Sequence, residues 1–144
     1  MSPSSLLFYL GVSKKIKNLE HHNLFFDEDI EEHIDDIYKN PIWPKKPLFY
    51  VCCPSKTDNE VAPKDKENIF VLIPIAPGIE DTGDLRKKYY DIVLDRLSKH
   101  CQIDLKRIIE YERSYCINDF ISDYNAFKGN AYGLANTLTQ TANF

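Results

Sequence analysis

The stretch NIFVLIPI, Asn68–Ile75, is the most strand-like part of the chain, because it is almost entirely apolar and has no turn residue until its seventh position. Two other continuous apolar runs, Leu6–Val12 and Leu48–Cys53, predict buried strands. A short strand is expected over His22–Phe26. Apolar and polar residues alternate over Ile108–Ser114, which predicts a half-buried strand.

Two of the segments between these strands have apolar residues at the spacing of a helix. Asp27 suits an N-cap, and the isoleucines that follow it recur at a spacing that predicts an apolar stripe on the core. They are Ile30, Ile34 and Ile37. A second helix is expected from Asp81 to about His100, because its apolar residues recur every four positions.

A third, short helix is expected to open at Asn118 and run through Tyr124. The predicted order is therefore strand, strand, helix, strand, strand, helix, strand, helix. Most strands are joined by connections too short for a crossover, so we expect a mixed, largely antiparallel sheet with helices packed on one face, an α+β fold.

Composition narrows the class of protein. The 144 residues fit one domain, and a net charge of −4 without a basic cluster argues against nucleic-acid binding. The apolar runs are too short to span a bilayer, and the N-terminus has no basic region typical of a signal peptide. We therefore expect a cytoplasmic location.

The cysteines are expected to be reduced and mostly buried thiols, because no C-x-x-C pair is present and disulfides are rare in the cytoplasm, where we expect the chain to lie. Cys52 and Cys53 are adjacent, so on a strand they point to opposite faces. The four histidines and four cysteines lack the spacing of zinc ligands, and no metal site is predicted.

The segment from Tyr124 to Tyr132 is rich in aromatics, small residues and side-chain amides, with Gly129 inside it and Gly133 after it. Such glycines mark sharp bends or close approaches of the backbone. Aromatics beside glycines in a polar segment build a core inefficiently, so a ligand contact is the better interpretation of this segment.

This segment resembles the bacterial-type phytoene desaturases, the flavin-dependent carotenoid desaturases that include the diapophytoene enzymes. Their pattern N-A-(Y/F)-x-G-(N/S)-A-(Y/F) corresponds to Asn125–Tyr132, and their T-L-x-Q-(T/S)-A corresponds to Thr137–Ala142. Three further stretches fit in the same order. They are the opening strand Leu6–Val12 with Leu19–His22, the block Pro54–Asp58 with Ala62–Pro63, and Asn68–Gly78.

The resemblance also implies what to expect outside these motifs. Members of the family carry a glycine-rich dinucleotide-binding motif at the start and a second glycine-rich flavin segment at the end. The 5 glycines here have no G-x-G-x-x-G spacing. We interpret residues 1–144 as one substrate-binding domain, an internal piece of such an enzyme. FAD is expected in the full-length parent and not in this piece, which is expected to be inactive alone.

The implied substrate is an apolar carotenoid precursor such as phytoene, and its site must be lined by aromatic and aliphatic side chains. Burying it recovers about 0.8 kcal/mol per CH2, enough to draw it from a bilayer, so the parent is expected to associate peripherally with a membrane. The substrate-binding candidates in and before the aromatic segment are Phe120, Tyr124, Phe127 and Tyr132. The strands offer Phe8, Phe49 and Phe70, which equally suit a core.

Hydride transfer to a flavin needs no nucleophile from the protein, so the catalytic residues stay unknown. Asp123 and Lys128 flank the aromatic segment and could make polar contacts near the flavin or the reacting carbons. They equally suit surface charges on a helix end and a turn. The cofactor-binding candidates implied by the resemblance are Asn125, Gly129, Asn130 and Gln140.

Two alternatives stay open at this stage. The chain could be a free-standing module that binds an apolar lipid or carotenoid, or its parent could be an isomerase, saturase or oxidase of the same family. An apolar surface at the former domain boundary would favour self-association.

Overall fold

The computed structural model of the chain describes residues 2–135. The elements follow the predicted order, with bounds that differ from the expected ones by a few residues at most. They are β1 Ser4–Val12, β2 His22–Phe25, α1 Ile30–Tyr38, β3 Phe49–Cys52, β4 Glu67–Ile75, α2 Gly83–Cys101, β5 Ile109–Tyr115 and α3 Ile117–Tyr124. Short 3-10 turns at Pro54–Lys56, Leu105–Arg107 and Phe127–Gly129 join some of them.

The strands form one five-stranded sheet in the order β2-β3-β4-β1-β5. Every neighbouring pair is antiparallel, and β1 pairs with β4 along its whole length, from Ser4 opposite Ile75 to Val12 opposite Glu67. The α+β fold class and the antiparallel sheet expected from the sequence are thereby confirmed.

One face of the sheet packs against α2 and forms the core. Alternate residues of β1 and β4 point to this covered face, and Leu6, Phe8 and Val71 on it are at most 3% exposed. The residues of α2 that meet them are Tyr89, Val93, Leu94 and Leu97. Burying an apolar side chain of this size fully stabilises the fold by about 1.5–3 kcal/mol. Because these side chains meet between α2 and the sheet, that single layer forms the core.

Helix α1 does not lay its isoleucine stripe on the core, and this expectation was wrong. Ile30 and Ile34 are 47% and 45% exposed, and only Ile37 is buried. The buried side of the helix is instead set by His33, whose Nδ1 accepts from the Leu48 backbone N–H at 2.9 Å and whose Nε2 donates to the Pro74 carbonyl at 2.8 Å. These two bonds fix the rotation of α1 about its axis.

The N-cap of α1 also differs from the expected one. Asp29, not Asp27, accepts the backbone N–H of Glu31 at 2.8 Å and caps the helix. Asp27 pairs instead with Arg96 of α2. Asp27, which the local sequence assigned to the N-cap, thus forms a long-range ion pair instead.

Candidate functional site

The face of the sheet opposite α2 carries apolar side chains that the fold does not bury in its core. Cross-strand register defines this open face, since paired residues share a face. The apolar and aromatic side chains of the open face are Leu7, Tyr9, Leu24, Tyr50, Phe70, Leu72, Pro74, Tyr111 and Tyr115, and its two edge strands also place His22 and Arg113 on it. Tyr9 is 40% exposed and Leu24 65% exposed, whereas Phe8 and Leu10, the neighbours of Tyr9 on the covered face, are each 3% exposed.

Aromatic rings follow one another across the open face. The Tyr9 and Phe70 ring centroids lie 5.3 Å apart, and those of Phe70 and Tyr50 lie 6.5 Å apart. At the other edge of the sheet, Tyr115 meets Phe120 of α3 edge to face at 4.9 Å. These separations fall in the range of favourable aromatic pairs, so the rings form a connected apolar surface.

The three inner strands of the sheet carry no charged side chain on the open face. Apart from the residues already named, their positions on that face are Ser5, Gly11, Asn68 and Cys52. A charged group would need a partner or water once this face was covered. An apolar molecule can therefore cover the open face without burying an unpaired charge on these three strands.

Helix α3 and the segment after it wall a hollow of about 590 Å³ at one end of the open face. Three of the four substrate-binding candidates line this hollow: Phe120, Tyr124 and Phe127. Leu7 and Tyr9 of β1 form its floor. Tyr124 and Phe127 are 71% and 70% exposed, and Tyr132 lies outside this lining and is 58% exposed. The sequence candidates thus meet the open face at one place.

Of the three strand candidates, Phe8 and Phe49 point to the covered face and are 3% and 1% exposed, while Phe70 lies on the open face. Substrate contact by any of these residues stays a prediction.

A second hollow, of about 380 Å³, lies at the other end of the open face against α1. It is lined almost entirely by apolar side chains. Among them are Leu24, Phe26, Ile30, Ile34, Tyr50 and Pro74. Sequence reasoning missed this hollow because it assigned Ile30 and Ile34 to the core.

The catalytic candidates Asp123 and Lys128 both have structural contacts. Asp123 accepts a hydrogen bond from the Tyr115 hydroxyl at 2.8 Å. Partial desolvation and this bond raise the pKa of Tyr115 to about 12, so the hydroxyl remains a donor at neutral pH. The aliphatic stem of Lys128 packs against Gly78, and its ammonium lies 5.7 Å from the centre of the Phe127 ring. A catalytic role for either residue stays a prediction.

The cofactor candidates Gly129 and Asn130 have structural roles. Gly129 has a φ of +62°, and a Cβ there would lie 2.6 Å from Ile117, so its close approach is to the protein itself. Asn130 donates to the Phe127 carbonyl at 2.8 Å and accepts from the Gly133 N–H at 2.6 Å, which uses both ends of its amide. Contact of either residue with a cofactor stays a prediction.

Of the other two cofactor candidates, Asn125 is exposed and ends α3 in the left-handed region with a φ of 51°. Gln140 lies outside the described residues, as does the Thr137–Ala142 motif. Contact of these residues with a cofactor stays a prediction.

The segment after α3 is tied to the start of β1. The Ser4 hydroxyl donates to the Gly129 carbonyl at 2.5 Å, and the Ala131 N–H donates to the Pro3 carbonyl at 3.1 Å. These bonds hold the aromatic segment at the edge of the open face.

A cluster of His21, His22 and Cys52 also lies on the open side of the sheet, at its β2 edge. The ligand atoms of the three side chains all lie within 4.8 Å of one another. Pairing of β2 with β3 sets His22 opposite Cys52, a contact between residues far apart in sequence. Local spacing carries no signal for it, which is why the sequence predicted no metal site.

Within the described residues, no helix is both long and apolar enough to cross a bilayer.

Comparison with known proteins gives one consistent set of relatives. No protein-family profile matches the chain. It is 45% identical over 141 residues to a carotenoid 3,4-desaturase of Haloarcula japonica, a match that covers 98% of the chain and 28% of that protein. It is 33% identical over 147 residues to a 4,4'-diapophytoene desaturase of Staphylococcus haemolyticus, covering 97% of the chain and 29% of the relative.

A third relative is named for a different reaction. The chain is 34% identical over 134 residues to a 4,4'-diaponeurosporene oxygenase of Staphylococcus aureus, covering 91% of the chain and 27% of the relative. The chain thus spans between 27% and 29% of the length of these relatives, all of which are oxidoreductases by name.

Proposed function

We propose that this chain, which is homologous over nearly its whole length to one part of the carotenoid desaturases, forms the surface on which a carotenoid precursor lies during desaturation. The resemblance expected from the sequence is confirmed by relatives that cover 97% and 98% of the chain. Because the chain spans less than a third of those proteins, the activity of the longer protein is part of this proposal.

The observation that carries the proposal is the open face. A sheet normally buries its apolar side chains against a second layer, and α2 supplies that layer on one face only. On the other face the rings of Tyr9, Phe70 and Tyr50 stand at the surface in a connected row. An exposed apolar surface of this kind marks a site that a ligand or another part of the protein covers.

A polyene fits this surface better than a polar ligand does. It offers no hydrogen-bonding group, and the inner strands offer no charged group on this face. Covering the aromatic row would recover about 25 cal/mol per Å² of apolar surface. The hollows against α3 and α1 extend the apolar surface at both ends, so an elongated ligand would be covered along its length.

The exposed aromatics of the segment after α3 complete the site in this proposal. Tyr124 and Phe127 stand beside the floor formed by Leu7 and Tyr9. Tyr132 is exposed a few residues further along. We assign these side chains to contacts with one end of the polyene, because they extend the apolar surface beyond the sheet edge.

FAD, which the resemblance implies, belongs in this proposal to another part of the longer protein and would accept the hydride there. Two of the cofactor candidates already have partners within this chain, since the close approach of the Gly129 backbone is to Ile117 and the Asn130 amide bonds within its own turn. The role assigned to this chain is to position the polyene and exclude water from it. We propose that the longer protein is cytoplasmic and associates peripherally with a membrane, which would give it access to so apolar a substrate.

The oxygenase relative favours a second candidate reaction, oxidation of a carotenoid end group, on the same surface. Supplying phytoene to the longer protein and resolving the products by chromatography separates the two. Added double bonds support desaturation, whereas no turnover of phytoene together with oxygenation of a desaturated carotenoid supports the alternative.

Binding by this chain is tested with a charge placed on the open face. Leu72→Lys puts an ammonium between Leu7 and Tyr50, its cross-strand neighbours. Ile42→Lys makes a comparable change at a side chain that is 42% exposed and lies off the sheet. The protein is titrated with ζ-carotene in mild detergent, and quenching of intrinsic fluorescence is followed.

The wild-type chain and Ile42→Lys are expected to bind saturably with equal affinity. Leu72→Lys is expected to bind at least about tenfold more weakly, the equivalent of about 1.4 kcal/mol. Equal affinity of Leu72→Lys and the wild type, or no saturable binding by the wild type, would overturn the assignment of the open face. Circular dichroism confirms that both variants are folded.

A further inference from the structure

We propose that His21, His22 and Cys52 form a zinc-binding site at the β2 edge of the sheet. Their ligand atoms all lie within 4.8 Å of one another. In a tetrahedral zinc site, with Zn–N near 2.0 Å and Zn–S near 2.3 Å, donor atoms lie about 3.5 Å apart. Closing the site therefore brings the donor atoms up to about 1.3 Å closer together. The proposal does not rest on the carotenoid function, although Cys52 and Tyr50 lie at the β2 edge of the same open face.

The backbone holds the three side chains together. His22 lies opposite Cys52 in the β2–β3 ladder, so both side chains point to the same side of the sheet. The Cys53 N–H donates to the His21 carbonyl at 2.8 Å and extends the pairing by one residue. The two imidazole rings lie 4.2 Å apart, at an angle of 34°. The donors are therefore carried by paired strands rather than by a free loop.

Hydrogen bonds around the cluster orient His21 for ligation. His21 Nδ1 lies 2.6 Å from the Thr57 hydroxyl oxygen. That hydroxyl donates its own proton to the Pro54 carbonyl, so its oxygen accepts from the Nδ1–H of His21. The neutral ring then carries its lone pair on Nε2. Zinc-bound histidines are held in this way, by a bond from the nitrogen that does not bind the metal.

Tyr50 has the equivalent position beside His22. Its hydroxyl oxygen lies 2.5 Å from His22 Nδ1, so that ring nitrogen is also hydrogen-bonded within the protein and Nε2 is left for the metal. Thr57 and Tyr50 thus hold the two rings through the nitrogens that do not bind the metal.

The donor set selects the class of metal. Two imidazoles and one thiolate suit zinc, whereas magnesium and calcium prefer oxygen ligands. Three protein ligands leave the fourth tetrahedral position for water or another small donor. Binding displaces the thiol proton of Cys52 and joins β2 to β3, so metal is expected to stabilise this edge of the sheet.

The experiment uses the purified chain after chelator treatment. Titration with Co²⁺ is expected to give one equivalent of a tetrahedral complex with a thiolate-to-cobalt charge-transfer band, and Zn²⁺ is expected to displace the cobalt. Cys52→Ser removes the thiolate and should abolish the charge-transfer band. Cys53→Ala is the matched control, because Cys53 is fully buried and points to the opposite face.

A second variant covers the case in which Cys52→Ser fails to fold. Thr57→Val keeps all three ligands and removes the acceptor for His21, and it is expected to weaken zinc binding about tenfold in competition with a chromophoric chelator. The proposal is overturned if the wild type binds less than one equivalent, if Cys52→Ser retains the band, or if Cys53→Ala loses it. Unchanged zinc affinity in Thr57→Val would also contradict it.

Discussion

The rings of Tyr9 and Phe70 lie side by side on adjacent antiparallel strands, with centroids 5.3 Å apart and planes tilted by 53°, on the face of the sheet that α2 does not cover. Each ring has a neighbour one residue away in sequence that is buried beneath α2, Phe8 for Tyr9 and Val71 for Phe70. The same two strands therefore build the core with one set of alternate side chains and a binding surface with the other.

Removing this pair tests the role of the surface directly. The double variant Tyr9→Ala, Phe70→Ala is expected to weaken ζ-carotene binding by more than tenfold in the fluorescence titration. The pair contributes about 0.5–1.5 kcal/mol beyond the area that its rings bury. Truncation also removes that buried area, so urea unfolding should show a loss of stability larger than the pair term. Ile42→Ala is the control, since Ile42 is 42% exposed and lies off the sheet. A large loss of stability with unchanged binding would assign the pair to structure alone.

The open face is also expected to promote association of this chain with itself, because exposed apolar surface associates in water. Light scattering on dilute protein should report dimers or larger species. Leu72→Lys should shift the population toward monomer, and Ile42→Lys should not. A monodisperse wild-type monomer would show that apolar contacts through the open face are too weak to drive self-association.

The sheet could be predicted from the sequence because its strands are coded locally. The run Asn68–Ile75 and the run Leu6–Val12 are apolar on both faces. For the same reason their sequence does not say which face the helix covers. A strand whose two faces are both apolar suits a core and an open binding surface equally well.

The orientation of α1 could not be predicted, because long-range bonds decide it. Its isoleucine spacing favoured a core stripe, but the two bonds of His33 to Leu48 and Pro74 hold the opposite rotation. Likewise, the pattern of small and aromatic residues located the aromatic segment but not the partners of its members. A side chain at position 129 would clash with Ile117, and the local sequence pattern does not reveal this contact.

Gly129 is therefore expected to be sensitive to any side chain. Gly129→Ala combines a φ of +62° with a Cβ 2.6 Å from Ile117, so we expect a loss of more than about 1 kcal/mol in the free energy of unfolding. Gly83→Ala is the matched control, because nothing lies within 4 Å of the added methyl at the start of α2. That variant should be neutral or slightly stabilising. Equal urea midpoints for the two variants would contradict the packing argument.

His33 is expected to make stability fall in mild acid. Burial lowers its pKa below the ordinary value of 6.5, more than its bond to Pro74 raises it. The unfolded chain then takes up the proton first. Its contribution is fully present above pH 6.5 and is lost as pH falls from 6.5 through the lower folded-state pKa, by at most about 1.4 kcal/mol per pH unit.

The variant His33→Gln isolates this effect. It should be less stable than the wild type at pH 7.5, because it cannot reproduce both bonds, and it should lack the loss of stability just below pH 6.5. Chemical denaturation at a series of pH values measures both. His100→Gln is the control, since His100 is exposed and should leave the wild-type pH profile in place. The same slope in His33→Gln and the wild type would exclude His33 as its source.

Asp81 is expected to govern stability at lower pH, because it joins the start of α2 to the start of α3. Arg86 donates to both of its carboxylate oxygens at 2.7 Å, and the Asn118 backbone N–H donates to it at 2.9 Å. Burial alone would raise the pKa of Asp81, but these bonds outweigh it and lower the pKa below the ordinary 3.8. The stabilisation is present above pH 3.8 and is lost as pH falls through the folded-state pKa.

Replacing this carboxylate leaves a partly buried guanidinium without its main partner. The Asp81 side chain is fully buried and that of Arg86 is 19% exposed, so Asp81→Asn should cost about 3 kcal/mol at pH 7. The variant should also lose less stability than the wild type between pH 4 and pH 2. Asp95→Asn removes a carboxylate that is 74% exposed and should cost less than about 1 kcal/mol. Parallel acid profiles of Asp81→Asn and the wild type would show that another carboxylate sets the acid limit of this fold.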